Sequence, residues 1–133
     1  MSEGPSPRIL VVDDDAVIVR LLQVNFTLEG YDVDTASRGE EAISRARERR
    51  PDVIVLDVMM PGIDGWEVCR RLKEEEGIDA PVIFLSARAQ DDDRERGYAL
   101  GVVDYVTKPF DPAQLVEVVG RAVARGGSST HSP

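Results

Sequence analysis

Three runs of this 133-residue chain are short, wholly apolar and rich in β-branched residues: Ile9–Val12, Val53–Leu56 and Val82–Leu85. Each is too short for a buried helix, and none alternates with polar residues as a half-buried strand would. They read as strands covered on both faces, which requires a parallel sheet with helices packed above and below it. Two weaker stretches, Tyr31–Thr35 and Val102–Val106, supply further strands, and helical patterns separate all five. The predicted fold class is therefore α/β, a doubly wound five-stranded parallel sheet with five helices.

The helices carry their own start and stop signals. Asp15 can cap the first, in which Val17, Leu21, Val24 and Leu28 fall at helical spacings and Gly30 supplies a stop. Ser37-Arg38-Gly39-Glu40 reads as a capping box for a helix to about Arg49, with Ala42, Ile43 and Ala46 as its apolar stripe. Asp64-Gly65-Trp66-Glu67 reads as a second box, for a helix that turns Val68, Cys69 and Leu72 inward and ends near Gly77; Trp66 is expected to pack rather than bind. The fourth predicted helix, Gln90–Leu100, holds three consecutive Asp, alternating Arg and Glu, and little to bury, which marks it as the least stable element. Asp111-Pro112-Ala113-Gln114 opens the last helix, with Phe110 positioned to staple against Leu115. Residues 1–7 and 126–133, rich in Gly, Pro and Ser, are expected to be flexible ends around one domain at 8–125.

Polar residues gather at the carboxyl ends of the strands. Asp13-Asp14-Asp15 follows the first, Asp57 closes the third, Ser86 ends the fourth, and Lys108, one of two lysines in the chain, follows the fifth. Capping accounts for one of the three adjacent acids and not for all. In the strand order 2-1-3-4-5, strands one and three meet at the switch point where open α/β sheets bind ligands, so Asp13, Asp14 and Asp57 converge there. The turn dipeptides Pro61-Gly62 and Asp64-Gly65 swing the chain away from Asp57 and leave it at an open rim. The net charge of −9 makes direct nucleic-acid or anionic-membrane binding unfavourable and a cation attractive. A single cysteine, Cys69, rules out an internal disulfide and a cysteine-rich zinc site, and the lone His131 sits in the Gly/Ser/Thr tail. No apolar run approaches the roughly 20 residues of a membrane span, so a cytoplasmic protein is expected.

Taken together, Ile9-Leu10-Val11-Val12-Asp13-Asp14-Asp15, the strand ending in Asp57, Met60-Pro61-Gly62-Ile63-Asp64-Gly65, Ser86-Ala87 and Lys108-Pro109-Phe110 resemble the receiver domain of two-component response regulators. The order and separations of these motifs agree with that family, and the resemblance spans residues 8 to 125. It implies the flavodoxin-like receiver fold, with Asp57 as the nucleophile that takes a phosphoryl group from a sensor histidine kinase or histidine phosphotransfer protein. It implies Mg²⁺ held by Asp14, Asp57 and the backbone carbonyl of Met59, with Asp13 acting mainly through water. Lys108 and Ser86 would bind phosphoryl oxygens, and Tyr105 would be the switch aromatic that turns inward as Ser86 moves. The face made by the Gln90–Leu100 helix, the fifth strand and the last helix would then meet a downstream partner or a second copy.

Gly101-Val102-Val103 replaces the family's usual Gly-Ala-Asp ahead of the fifth strand, and Met59 and Arg88 occupy positions that influence phosphate loss in the family. Two other readings fit the residues less well. A phosphohydrolase of the haloacid dehalogenase type needs a second Asp two residues after the nucleophile, where this chain has Met59. A phosphorylation-independent interaction module is the alternative that the intact acid, hydroxyl and lysine positions argue against.

Overall fold

The structure, a computed structural model, describes residues 6–87 and 100–130. The expected Gln90–Leu100 helix and Arg88 lie outside the described residues, apart from Leu100 at the helix's end.

Five parallel strands, β1 (Arg8–Val12), β2 (Asp32–Ala36), β3 (Val53–Asp57), β4 (Val82–Ser86) and β5 (Val102–Thr107), form one sheet in the order β2-β1-β3-β4-β5. The described helices are α1 (Ala16–Leu28), α2 (Gly39–Glu48), α3 (Gly65–Glu74) and α4 (Pro112–Thr130). The predicted sheet and its order are observed. Because strand side chains alternate between faces, the apolar runs divide into two cores. Leu10, Val12, Ile54, Leu56, Val82, Phe84 and Tyr105 pack with α2 and α3, while Ile9, Val11, Val53, Val55, Ile83 and Leu85 pack with α1 and α4.

In α1, Asp15 caps as expected, its carboxylate accepting from Val17 N at 2.9 Å. The stripe noted in the sequence, however, is the outer one. Val17 and Leu28 are 76% and 79% exposed, Leu21 and Val24 are also exposed, and the fully buried residues are Leu22 and Phe26. Phe26 fills the space between sheet and α4 and meets Tyr31 edge to face at 5.3 Å, which fixes the helix's rotation.

The box at Ser37 also differs from expectation. Helix α2 starts at Gly39, its cap Arg38 makes no side-chain bond, and Glu41 rather than Glu40 reaches back to accept from Ser37 N at 2.8 Å. The box at Asp64 is half made: Asp64 accepts from Glu67 N at 2.9 Å, but the Glu67 carboxylate turns to Arg70 and Arg71. Trp66 packs edge to face on Phe84 at 4.9 Å. Burial pushes the Cys69 thiol up to about 11, and it donates to the Leu100 carbonyl at 3.2 Å, a structural role. Asp111 caps α4 through Ala113 N, and with no proline to break its ladder that helix runs to Thr130, five residues into the stretch expected as tail.

Candidate functional site

The strand register assembles the site. Val12 pairs with Leu56 and Leu85 with Asp57, so the next residues, Asp13 just after β1 and Ser86 at the end of β4, flank Asp57 on β3. Ser86 pairs with Thr107, and the following residue, Lys108, donates its backbone N–H to the Ser86 carbonyl at 2.8 Å. Asp13 is held in place by Asp13 N donating to Ala36 O at 3.1 Å. Each candidate residue therefore stands at the carboxyl edge of the sheet, and Asp13, Asp14, Asp57 and Lys108 come together there.

Lys108 is the centre of this arrangement. Its Nζ lies 2.9 Å from Asp13 Oδ2 and 3.3 Å from Asp57 Oδ2. Asp13 is fully buried; Oδ1 accepts from Asp15 N at 2.9 Å, while Oδ2 makes no directed hydrogen bond and faces the ammonium as a charge contact. Burial alone would push Lys108 down, but Asp13 and then Asp57 outweigh it and leave Lys108 above its ordinary range. Asp57 is buried as well, with Oδ1 accepting from Met59 N at 3.2 Å. Desolvation first and the Asp13 charge second raise its carboxyl to about 6, against the opposing pull of Lys108.

One carboxylate oxygen from each of Asp13, Asp14 and Asp57 lies within 4.8 Å of the others. Three carboxylates and one ammonium leave two uncompensated negative charges, and oxygen is the only donor type in the cluster. That set fits a hard divalent cation and would repel an anion that arrived without one. Asp14 is exposed, and a crevice of about 320 Å³ opens beside it between Asp13, Ala16, Arg20, Thr35 and Ser37, so the cluster is reached from solvent. The Met59 side chain is exposed, and Ser86 and Tyr105 are buried, Tyr105 lying edge to face with Phe84 at 5.6 Å. What the sequence left unread is the pairing: Asp13, not Asp57, makes the shorter contact with Lys108, and no periodicity signals a contact between residues so distant in the chain.

A doubly wound parallel sheet that gathers buried carboxylates and a lysine at its switch point defines an open α/β fold whose acidic ligand site could hold a metal ion. The chain belongs to the response regulator receiver domain family, which residues 9–120 match. It is 49% identical over 108 residues to the alkaline phosphatase synthesis transcriptional regulatory protein PhoP of Bacillus subtilis, covering 81% of this chain and 45% of that protein. It is 46% identical over 127 residues to the transcriptional regulatory protein PrrA of Mycobacterium bovis, covering 96% of this chain and 54% of that one. The chain thus spans about half the length of the curated relatives it matches. Among solved structures, the Vibrio cholerae chemotaxis protein CheY4 superposes with a TM-score of 0.83 at 30% identity, over 88% of this chain and 98% of that one. The receiver domain of the Francisella response regulator 1452 gives 0.83 at 36% identity, over 90% and 98%. No helix among the described residues is long and apolar enough to cross a membrane.

Proposed function

We propose that Asp57 accepts a phosphoryl group from a phosphohistidine donor, a sensor histidine kinase or a histidine phosphotransfer protein, in a Mg²⁺-dependent reaction. The observation that carries this reading is the Lys108 ammonium standing between two buried carboxylates at 2.9 and 3.3 Å. A structural ion pair needs only one acid. The second carboxylate and exposed Asp14 leave a net negative pocket open to solvent, which suits a metal and a transferring phosphoryl group.

In the proposed step an Asp57 carboxylate oxygen attacks phosphorus. The O–P bond forms as the N–P bond breaks, and the electron pair stays with the imidazole nitrogen. A carboxyl raised to about 6 is mostly ionised at neutral pH yet poorly solvated, which suits a nucleophile. Lys108 can release Asp57 to neutralise a phosphoryl oxygen while keeping its contact with Asp13. Asp14, Asp57 and the Met59 carbonyl would hold Mg²⁺, which supplies charge neutralisation for the remaining phosphoryl oxygens. Asp13, already engaged by Lys108 and Asp15 N, would act on the metal through water. Ser86, buried beside Asp57, would hydrogen-bond a phosphoryl oxygen, and Tyr105, already buried against Phe84, would be the aromatic that responds to its movement.

Two surfaces would serve this chemistry. The outer stripe of α1 has the strict four-three-four spacing of a helix-packing seam and begins two residues after the acid cluster, so a helix of the phosphodonor protein is its fitting partner. A crevice of about 410 Å³ between β5 and α4, lined by Tyr105, Thr107, Phe110 and Gln114, lies on the face through which a downstream partner or a second copy would sense the switch. Intact-mass measurement after incubation with acetyl phosphate tests the central step. Label is expected on wild type with Mg²⁺, none in chelator or in Asp57→Ala, and little in Lys108→Ala. Equal labelling of Asp57→Ala would rule out the assignment.

A further inference from the structure

The loop from Val58 to Asp64 carries the Met59 carbonyl, and its base is fixed by the backbone. Val58 N donates to Leu85 O at 3.0 Å, and Gly65 N returns to Val58 O at 2.9 Å. Gly65 makes that closure possible, since a Cβ there would stand 2.8 Å from Val58 Cα and 2.9 Å from the Asp57 carbonyl oxygen. The far end of the loop is held differently. Ile63 is half-buried and packs on the core shared with α2 and α3.

Its seat is Gly39, the buried first residue of α2. A Cβ at Gly39 would overlap Ile63 Cγ1, and would stand 2.8 Å from Ile63 Cδ1 and 2.7 Å from Val68 Cγ2. The backbone of Gly39 is not in the left-handed region, which among the described glycines is adopted by Gly30, Gly62, Gly77 and Gly101. Space, not conformation, is what glycine supplies here, and on helix propensity alone alanine would serve better. Both neighbours are β-branched and therefore stiff at χ1. Val68 is fully buried on α3, so half-buried Ile63 is the group that must yield, and the loop moves with it.

We infer that Gly39 is a positioning residue for the metal site: as the seat of Ile63, it sets where the 58–64 loop places the Met59 carbonyl relative to Asp57. The inference rests on the proposal that this carbonyl is a Mg²⁺ ligand, and it extends the site to a helix that supplies none of the proposed ligands. Residues behind metal ligands commonly change affinity by about ten- to a hundredfold when altered.

The test is a Mg²⁺ titration followed by the fluorescence of Trp66, the single tryptophan, which adjoins Gly65. Gly39→Ala should weaken Mg²⁺ binding roughly tenfold, and because its Cβ also meets buried Val68 at 2.7 Å it should lower the melting temperature in chelator as well. Ile63→Ala, which empties the seat without overlap, should also weaken binding, and the double variant should bind more tightly than either single one. A purely structural glycine would change the melting temperature alone and leave the affinity at the wild-type value. Wild-type affinity in Ile63→Ala would overturn the inference whatever Gly39→Ala does. A wild type with no Mg²⁺ response would remove the metal reading and this inference together; wild-type binding that Asp57→Ala abolishes and Gly39→Ala preserves would remove this inference alone.

Discussion

Replacing Asp57 by Asn should stabilise the metal-free protein. Its carboxyl is raised from 3.8 to about 6, first by desolvation and then by Asp13. Because the folded value lies above the unfolded one, this group's contribution is fully present below about pH 4 and is lost as pH rises through 6. At pH 8, holding the charge in the folded protein costs about 3 kcal/mol at most. Asn removes the charge and keeps an oxygen for the Met59 N–H, but Lys108 loses a partner at 3.3 Å. A gain of roughly 1–3 kcal/mol remains, which for a domain of this size is roughly 3–10 °C in melting temperature. Circular-dichroism melts of dilute protein in chelator at pH 8 and pH 5 check it. The advantage of Asp57→Asn should fall to about half at pH 5, where the folded wild-type carboxyl is largely protonated. Mg²⁺ at ten times its dissociation constant should then stabilise wild type by about 1.4 kcal/mol and Asp57→Asn by less. Equal melting temperatures in chelator at pH 8, or an advantage that does not change with pH, would refute the electrostatic reasoning.

Further outcomes are expected elsewhere in the molecule. Val24→Glu on the outer face of α1 should leave acetyl phosphate labelling and the melting temperature near wild type while slowing transfer from a phosphohistidine protein; unchanged transfer would remove the docking stripe. Gly101→Ala places a side chain at φ +86° with its Cβ 2.6 Å from Lys73 Cε, and should lower stability by roughly 1–3 kcal/mol, read as a lower urea midpoint. Hydrogen exchange with beryllofluoride, a phosphoryl mimic, should change around Asp57 and also in residues 100–110; changes confined to the loops around Asp57 would mean that β5 carries no signal.

The site was legible because a parallel sheet has only one edge where strand-ending residues can gather. An acid after an apolar run, a serine after another and a lysine before a proline are each weak signals, but the topology gives them one location. Pairings across that edge were not legible. Neither were the arginine contacts around the C-terminal end of α2. Arg47 reaches Glu76 at 2.7 Å, and Arg49 bridges Asp32 at 2.6 Å and Asp34 at 3.0 Å. Helical spacing exposes pairs on one helix, such as Glu41 and Arg45 at 3.3 Å, but carries no information about partners supplied by another element. Glu41 shows the same limit locally. Its carboxylate is held below the usual range chiefly by the Ser37 backbone N–H, a contact set by where α2 begins, and the sequence placed that start one residue early.

Helix α1 was read on the wrong face for a physical reason. Its sequence, Ala16–Leu28, contains a single charged residue, Arg20, and holds two adjacent apolar stripes: Val17, Leu21, Val24, Leu28 and Ile18, Leu22, Phe26. Both have helical spacing, so periodicity cannot choose between them. Volume does, since Phe26 and Leu22 fill the gap between the sheet and α4 and leave the smaller, more regular stripe in water. Burying a side chain of this kind is worth roughly 1.5–3 kcal/mol, so the free protein forgoes several kcal/mol along one helix. Scattered apolar residues on a surface need no explanation, but aligned ones beside an acidic site do. In a chain of net charge −9 this is a nearly uncharged strip leading away from Asp14 and Asp15, where an apolar helix could be held against the molecule without meeting its acids. The ambiguity in the sequence is thus the trace of a helix with two apolar faces, one packed by its own fold and one left exposed, as the proposed docking of a phosphodonor would require.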